Sequence, residues 1–382
     1  MNAEITPFRI AATDSELDDL KRRLRDTRWP ERECVDDWSQ GMPLAYAQEV
    51  WAHWLNKYDW RVREARLNRF LQFKTIIDGL AIHFVHIRSP HSNALPMVMS
   101  HGWPGSIVEF HKVIEPLTNP TAHGGDAADA FHLVCPSLPG FGFSEKPSRT
   151  GWKVQRIARA WSELMPRLGC NRYTAQGGDW GALVTTCIGI QDPANCIGIH
   201  LNMPLVPPDP TTSNDLTEKE KSAIAGLRHY ERWESGYAKQ QSTRPQTLGY
   251  CLTDSPVGQL AWILEKFWAW TDCDGHPEDI LTRDEMLDNV MLYWLPGTAA
   301  SSARLYWESI ESFRSTVTDP ITIPVGCSIF PKEIFRTSRR WAEKRYANLV
   351  YFHEVEKGGH FAAFEQPETF VREVRTCFKA LR

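Results

Sequence analysis

No run of about 18 apolar residues occurs in this chain, so no membrane-spanning helix is expected. The nine cysteines are odd in number, scattered, and include no Cys-x-x-Cys pair. That argues against a disulfide frame or a zinc ribbon and for free thiols in a reducing compartment. No His-x-x-x-His or similar ligand cluster is present, so neither a metal nor another cofactor is expected. Lys/Arg runs are missing and the formal net charge is −4, which argues against binding to nucleic acid or anionic surfaces. Met1-Asn2-Ala3-Glu4-Ile5 lacks the basic and apolar regions of a signal peptide, and a cytoplasmic location is expected. Internal repeats and low-complexity tracts are also absent.

What remains is the composition of a soluble globular enzyme. At 382 residues the chain suits one large domain with an insertion, or two domains. Residues 1–75 read as a helical, Trp/Arg-rich meander that wraps the main domain. Thr13-Asp14-Ser15-Glu16 has capping-box spacing, and Leu17, Leu20 and Leu24 follow at helical spacing. From residue 76 the pattern alternates strand and helix. Strands are expected at 81–87, 95–100, 131–136, 172–176, 196–202, 321–329 and 349–352, with an amphipathic helix carrying Ile157, Trp161, Leu164, Met165 and Leu168. Short apolar strands between helices imply a mostly parallel sheet covered on both faces. Pro204-Leu205-Val206-Pro207-Pro208 breaks this rhythm, and helical, aromatic-rich sequence follows. The expected organisation is therefore a meander at 1–75, an α/β core at 76–204 and 313–382, and an inserted helical cap at 205–312.

Gly177-Gly178-Asp179-Trp180-Gly181 lies between a predicted strand and an apolar helix. Small-x-nucleophile-x-small in that setting is the nucleophile elbow of α/β-hydrolases. Its central residue is neither Ser nor Cys but Asp179. A carboxylate attacking a carbonyl gives an unstable anhydride, whereas attack on saturated carbon gives an ester that water can cleave. The chemistry indicated is the opening of a strained or activated carbon–heteroatom bond, as in an epoxide or alkyl halide.

Such a nucleophile needs a base, an orienting acid, oxyanion donors and a proton donor. His360, in Lys357-Gly358-Gly359-His360-Phe361, follows the last predicted strand and is the expected base. Glu333 follows the strand at 321–329 and is preferred as orienting acid over Asp319, which precedes that strand. The backbone N–H groups of Trp103 and Trp180 are the expected oxyanion donors, and His101 is read as fixing its loop. Tyrosine stays protonated at neutral pH and can serve the leaving oxygen. Spacing does not choose among Tyr230, Tyr237, Tyr250, Tyr293 and Tyr306.

These motifs together resemble the epoxide hydrolases of the microsomal type and their bacterial and fungal relatives. The resemblance runs through Arg28-Trp29-Pro30, Trp38-Ser39-Gln40-Gly41 and Asp59-Trp60-Arg61, through His101-Gly102-Trp103-Pro104-Gly105-Ser106, the elbow, and Gly358-Gly359-His360-Phe361-Ala362-Ala363. In the cap it includes Glu234-Ser235-Gly236-Tyr237, Asp254-Ser255-Pro256-Val257-Gly258, Asn289-Val290-Met291-Leu292-Tyr293-Trp294 and Arg304-Leu305-Tyr306. It implies an α/β-hydrolase fold with an N-terminal meander and an inserted cap, and hydrolysis of an epoxide to a vicinal diol. It also implies Asp179 as nucleophile, His360 as base, Glu333 as relay acid, and Tyr237 and Tyr306 as ring-opening tyrosines. The membrane-bound branch carries an apolar anchor before the meander, and this sequence starts directly at the meander, so the soluble form is expected. An epoxide is the expected partner; detoxification or aromatic-hydrocarbon catabolism is the expected setting, and a homodimer through the cap is admitted by resemblance alone. A haloalkane dehalogenase would share the Asp-Trp elbow, but the paired cap tyrosines and the meander argue against it. A non-catalytic binding protein on the same scaffold would usually lack a base or a nucleophile.

Overall fold

The computed structural model describes residues 4–316 and 320–382. The N-terminal segment holds strand β1 (Thr6–Phe8) and helices α1 (Asp14–Arg25), α2 (Leu44–Asn56) and α3 (Trp60–Leu67). The capping box forms as its spacing suggests: Thr13 Oγ1 accepts from Glu16 N–H at 3.2 Å, and Glu16 Oε2 accepts from Thr13 N–H at 2.7 Å. Next come β2 (Gln72–Ile77), β3 (Leu80–Ile87), β4 (Leu95–Ser100), α4 (Ile114–Thr118), β5 (Phe131–Pro136), α5 (Val154–Arg167), β6 (Tyr173–Gly177), α6 (Asp179–Gln191) and β7 (Cys196–Leu201). Among the described residues six α-helices separate β7 from the next strand: α7 (Glu218–His229), α8 (Gly236–Thr243), α9 (Pro245–Asp254), α10 (Pro256–Trp270), α11 (Arg283–Trp294) and α12 (Ala299–Thr316). The chain closes with β8 (Val325–Ile329), α13 (Arg339–Arg345), β9 (Leu349–Glu354), α14 (Ala362–Glu365) and α15 (Pro367–Phe378).

All strands join one sheet in the order β1-β2-β3-β5-β4-β6-β7-β8-β9. Pairing is antiparallel from β1 to β5 along that order and parallel from β5 to β9. Every residue of β6 and β8 is buried, as expected of central strands covered on both faces. Helix α5 turns Ile157, Trp161, Leu164 and Met165 inward, and α6 is buried along most of its length. The parallel strands all present their carboxyl ends to one edge, which is where ligands gather in open α/β sheets.

Three differences from the sequence reading are local. Residues 1–75 are not wholly helical, because β1 pairs antiparallel with β2, Thr6 facing Lys74. A three-residue strand has no periodicity to detect, and β2 starts at Gln72, so the expected boundary at 75/76 cuts it. The strand expected at 321–329 starts only at Val325; Pro324 has no N–H for a ladder, and Ile321 makes only an isolated bridge to Tyr346. The expected junction at 312/313 lies within α12.

The N-terminal helices are tied to the α7–α12 layer as well as to the core. Trp38 stacks on Trp268 with centroids 4.9 Å apart. Arg63 and Asp288, both buried, pair through Nε at 2.8 Å and Nη2 at 2.5 Å, and Tyr58 Oη donates to the same carboxylate at 2.8 Å. Leaving one member of such a pair alone is costly. Arg63→Met is expected to destabilise the protein by about 3–5 kcal/mol in urea unfolding. The double variant Arg63→Met/Asp288→Leu should recover most of that loss; equal destabilisation of the single and double variants would contradict it.

Candidate active site

The turn from β6 into α6 is held in a conformation that few side chains tolerate. Asp179 opens the helix with φ +50°, in the left-handed region. A Cβ on Gly177 would sit 2.1 Å from the Gly181 carbonyl oxygen, and one on Gly181 would sit 1.9 Å from that of Ser100. Glycine at both positions lets the elbow press against the end of β4. The first intrahelical bond runs from Ala182 N–H to Gly178 O, so the Trp180 N–H lies in the first turn, where donors lack helical acceptors. The Asp179 carboxylate therefore stands at a helix N-terminus, where negative charge is favoured.

The loop after β4 supplies a second donor. Trp103 N–H donates to Asp179 Oδ1 at 2.8 Å. Helix α11 clamps this loop from the far side: Asn289 Nδ2 donates to Pro104 O, Ser106 Oγ donates to Asn289 Oδ1, and Tyr293 Oη donates to Gly105 O, each at 2.7 Å. His101 accepts the Leu138 N–H through Nε2 and meets Gly102 O through Nδ1. Burial holds it at about 4, so it is neutral, in keeping with a loop-fixing role.

Beyond β8 and β9 the chain delivers Glu333 and His360 to the same edge. His360 Nε2 lies 3.3 Å from Asp179 Oδ2, and its Nδ1 lies 2.7 Å from Glu333 Oε1. That Glu333 oxygen also accepts from Ile334 N–H at 2.7 Å. Both side chains are buried, at 3% exposure for His360 and 0% for Glu333, so neither has water to lean on. Burial alone would lower the imidazole, but the Glu333 charge, the hydrogen bonds to Asp179 and Glu333 and the Asp179 charge hold it well above 6.5. The loop itself is fastened by His360 N–H donating to Trp270 O at 2.9 Å, and by Glu365, which accepts from Gly359 and Phe361 N–H groups. Glu365 carried no sequence signal, since its role depends on where the loop folds back. Asp319 lies outside the described residues.

The tyrosines left open by spacing separate cleanly by position. Tyr250 is 71% exposed, and Tyr293 is committed to Gly105 O. Tyr237 on α8 and Tyr306 on α12 are buried over the elbow: Tyr237 stacks on Trp103 at 4.8 Å, and Tyr306 meets Trp180 edge-on at 4.7 Å. Their rings lie 5.7 Å apart. Tyr230 Oη lies 3.0 Å from Tyr237 Oη, a partnership the sequence did not indicate, and the buried Tyr306 hydroxyl makes no hydrogen bond. Burial pushes both phenols well above 10, so they remain protonated. Asp179, Trp180, Tyr230, Tyr237 and Tyr306 share a cavity of about 370 Å³ whose walls include Leu183, Met203, Leu227 and Phe335. Among the described residues no group of three or more His, Cys, Asp or Glu is arranged to hold a metal, and no helix is long and apolar enough to cross a membrane.

The chain is similar to known proteins along most of its length. Residues 5–110 match the family model described as epoxide hydrolase N terminus, and residues 96–234 match that of the alpha/beta hydrolase fold. A protein of Stigmatella aurantiaca, provisionally named an epoxide hydrolase, is 57% identical over 99% of this chain and 86% of its own. Epoxide hydrolase 1 of Sus scrofa is 36% identical over 97% of this chain and 88% of its own. The solved epoxide hydrolase of Aspergillus niger superposes with a TM-score of 0.90 at 34% identity, covering 99% of this chain and 97% of that one.

One consequence of the packing is testable without any mechanism. A Cβ on Gly102 would fall 2.1 Å from Asp179 Oδ1 and 2.3 Å from Asp179 Cβ. Gly102→Ala is expected to lower kcat/KM by about 10²-fold or more through displacement of the carboxylate, with Tm changed by only a few degrees. Unchanged turnover would show that the carboxylate position is not critical.

Proposed function

The chain belongs to the epoxide hydrolases of the α/β-hydrolase fold, and we propose that it opens an apolar epoxide to a vicinal diol through an ester on Asp179. The observation that carries this reading is the line Asp179–His360–Glu333, whose Asp179 shares a cavity with two protonated phenols. Tyr237 and Tyr306 donate hydrogen bonds to the epoxide oxygen. Asp179 attacks one ring carbon from the side opposite the breaking C–O bond, and a phenol proton goes to the leaving oxygen. The product is a hydroxyalkyl ester. His360 then takes a proton from water, the hydroxide adds to the ester carbonyl carbon, and the N–H groups of Trp103 and Trp180 hold the oxyanion. Collapse expels the alkoxide, which takes the proton of the newly formed Asp179 carboxyl, so the diol leaves, the carboxylate is restored and His360 is protonated once more.

The pair electrostatics order the two steps. In the resting enzyme the Asp179 carboxylate helps keep His360 protonated. Esterification removes that charge and its hydrogen bond, so the imidazole is pulled down, gives its proton to the phenolate left by ring opening, and becomes a base only when there is an ester to cleave. Glu333 remains and orients the ring. Leu183, Met203, Leu227 and Phe335 in the cavity wall support an apolar epoxide.

The mechanism is tested by a single turnover of styrene oxide with excess enzyme in ¹⁸O-water. Unlabelled diol with label in the Asp179 peptide is expected; labelled diol with unlabelled Asp179 would mean direct attack by water. Tyr306→Phe should slow ester formation by about 10²-fold, the scale of one lost donor to a developing oxyanion, read as the burst rate. Glu333→Gln removes a charge that raises the His360 pKa. The acid limb of the kcat–pH profile should therefore move to lower pH, with a smaller plateau, and a shift to higher pH would refute the assignment of Glu333.

A further inference from the structure

Asp179 also lines a second and much smaller space, of about 20 Å³. That is room for a single water, since a cavity needs roughly 10–15 Å³ to hold one. Its lining includes Asp179, His360, Gln176, Asn202 and an acid the mechanism above does not use, Glu109. A water site also needs polar partners, and this one has them. Gln176 is 1% exposed, its Nε2 donates to Asn202 Oδ1 at 2.9 Å, and its Oε1 is buried without a hydrogen-bond partner.

Glu109 sits in the short 3₁₀ turn Ile107–Phe110 that follows the Trp103 loop. Gly105 makes space for it, because a Cβ there would fall 1.4 Å from Glu109 Oε1. The side chain is deep in the protein yet not fully covered by other atoms, which is the condition of a group facing an internal space. Burial pushes its carboxyl up to about 8, against the pull of the His360 charge and with the Asp179 charge adding to the rise. Near neutral pH it is therefore mostly the uncharged acid, able to accept a hydrogen bond without a second anion beside Asp179.

We propose that this small cavity is the site of the ester-cleaving water, and that Glu109 holds it there together with His360. One O–H of the water points to His360 Nε2, which removes that proton. The other O–H is accepted by the Glu109 carboxyl, which keeps the oxygen lone pair aimed at the Asp179 carbonyl carbon. Glu109 neither gains nor loses a proton overall. The proposal rests on the ester mechanism above but concerns only its second step.

Stopped-flow tryptophan fluorescence and intact-mass analysis with styrene oxide separate ester formation from ester cleavage in the full-length enzyme. Glu109→Met should slow cleavage by about 10- to 100-fold, the scale of a misplaced reactant, and leave ester formation within about twofold. Ester-bound enzyme should then accumulate, and kcat and KM should fall together. Glu109→Gln retains an acceptor of the same shape and should recover much of the cleavage rate. Unchanged cleavage in Glu109→Met overturns the proposal, and so does an equal loss in both steps, because that is what a merely structural role would give. His360→Gln serves as the control: ester accumulation there supports the shared premise, and its absence overturns the ester mechanism and this proposal together.

Discussion

The site depends first on how closely two backbones approach. The end of β4 and the start of α6 meet with Gly181 against Ser100, at a separation that would place a Cβ 1.9 Å from a carbonyl oxygen. That contact leaves no freedom in the turn, so Asp179 takes a left-handed φ and its carboxylate is thrown out above the sheet. The same contact brings the Trp103 N–H to 2.8 Å from the carboxylate. A wider turn would lose the donor and the nucleophile geometry in one motion. The remaining groups are placed relative to this fixed point by parallel strands that all end at the same edge.

Charge and neutrality are divided between the two layers. The sheet edge carries the charge-bearing residues: His360 and Glu333 are buried, Asp179 is half-buried, and His360 lies between the two carboxyl groups. The α7–α12 layer sets the neutral Tyr237 and Tyr306 hydroxyls in the cavity that Asp179 lines. A cation in their place would pair with the Asp179 carboxylate and, on the mechanism proposed above, blunt its attack. A phenol held well above its ordinary pKa by burial does not, and still has a proton for an alkoxide.

The parallel core was legible because its strands are short, apolar and bounded by turns; β4 and β5 have the bounds their sequence suggests. The elbow was legible because steric crowding leaves a glycine signature. His360 and Glu333 could be located because strand order dictates which loops reach the edge. Sequence spacing was silent on the tyrosines, since Tyr237 and Tyr306 come from separate helices and meet only through tertiary packing; the resemblance singled them out. Strand β1 was missed because three residues carry no pattern. Glu109 and Glu365 were missed for a different reason: nothing near them in the chain distinguishes a buried acid from a surface one.

The loop that carries Trp103 is gripped by α11 through the carbonyls of Pro104 and Gly105, while the His360 loop is pinned to the end of α10 through Trp270. Ser301 at the start of α12 likewise donates to Gly140 O in the core. The upper layer is thus stitched at several points to the loops that carry Trp103 and His360. A substitution far from Asp179 that loosens the seat of α10 or α11 on these carbonyls would therefore disturb the surroundings of the carboxylate without touching it.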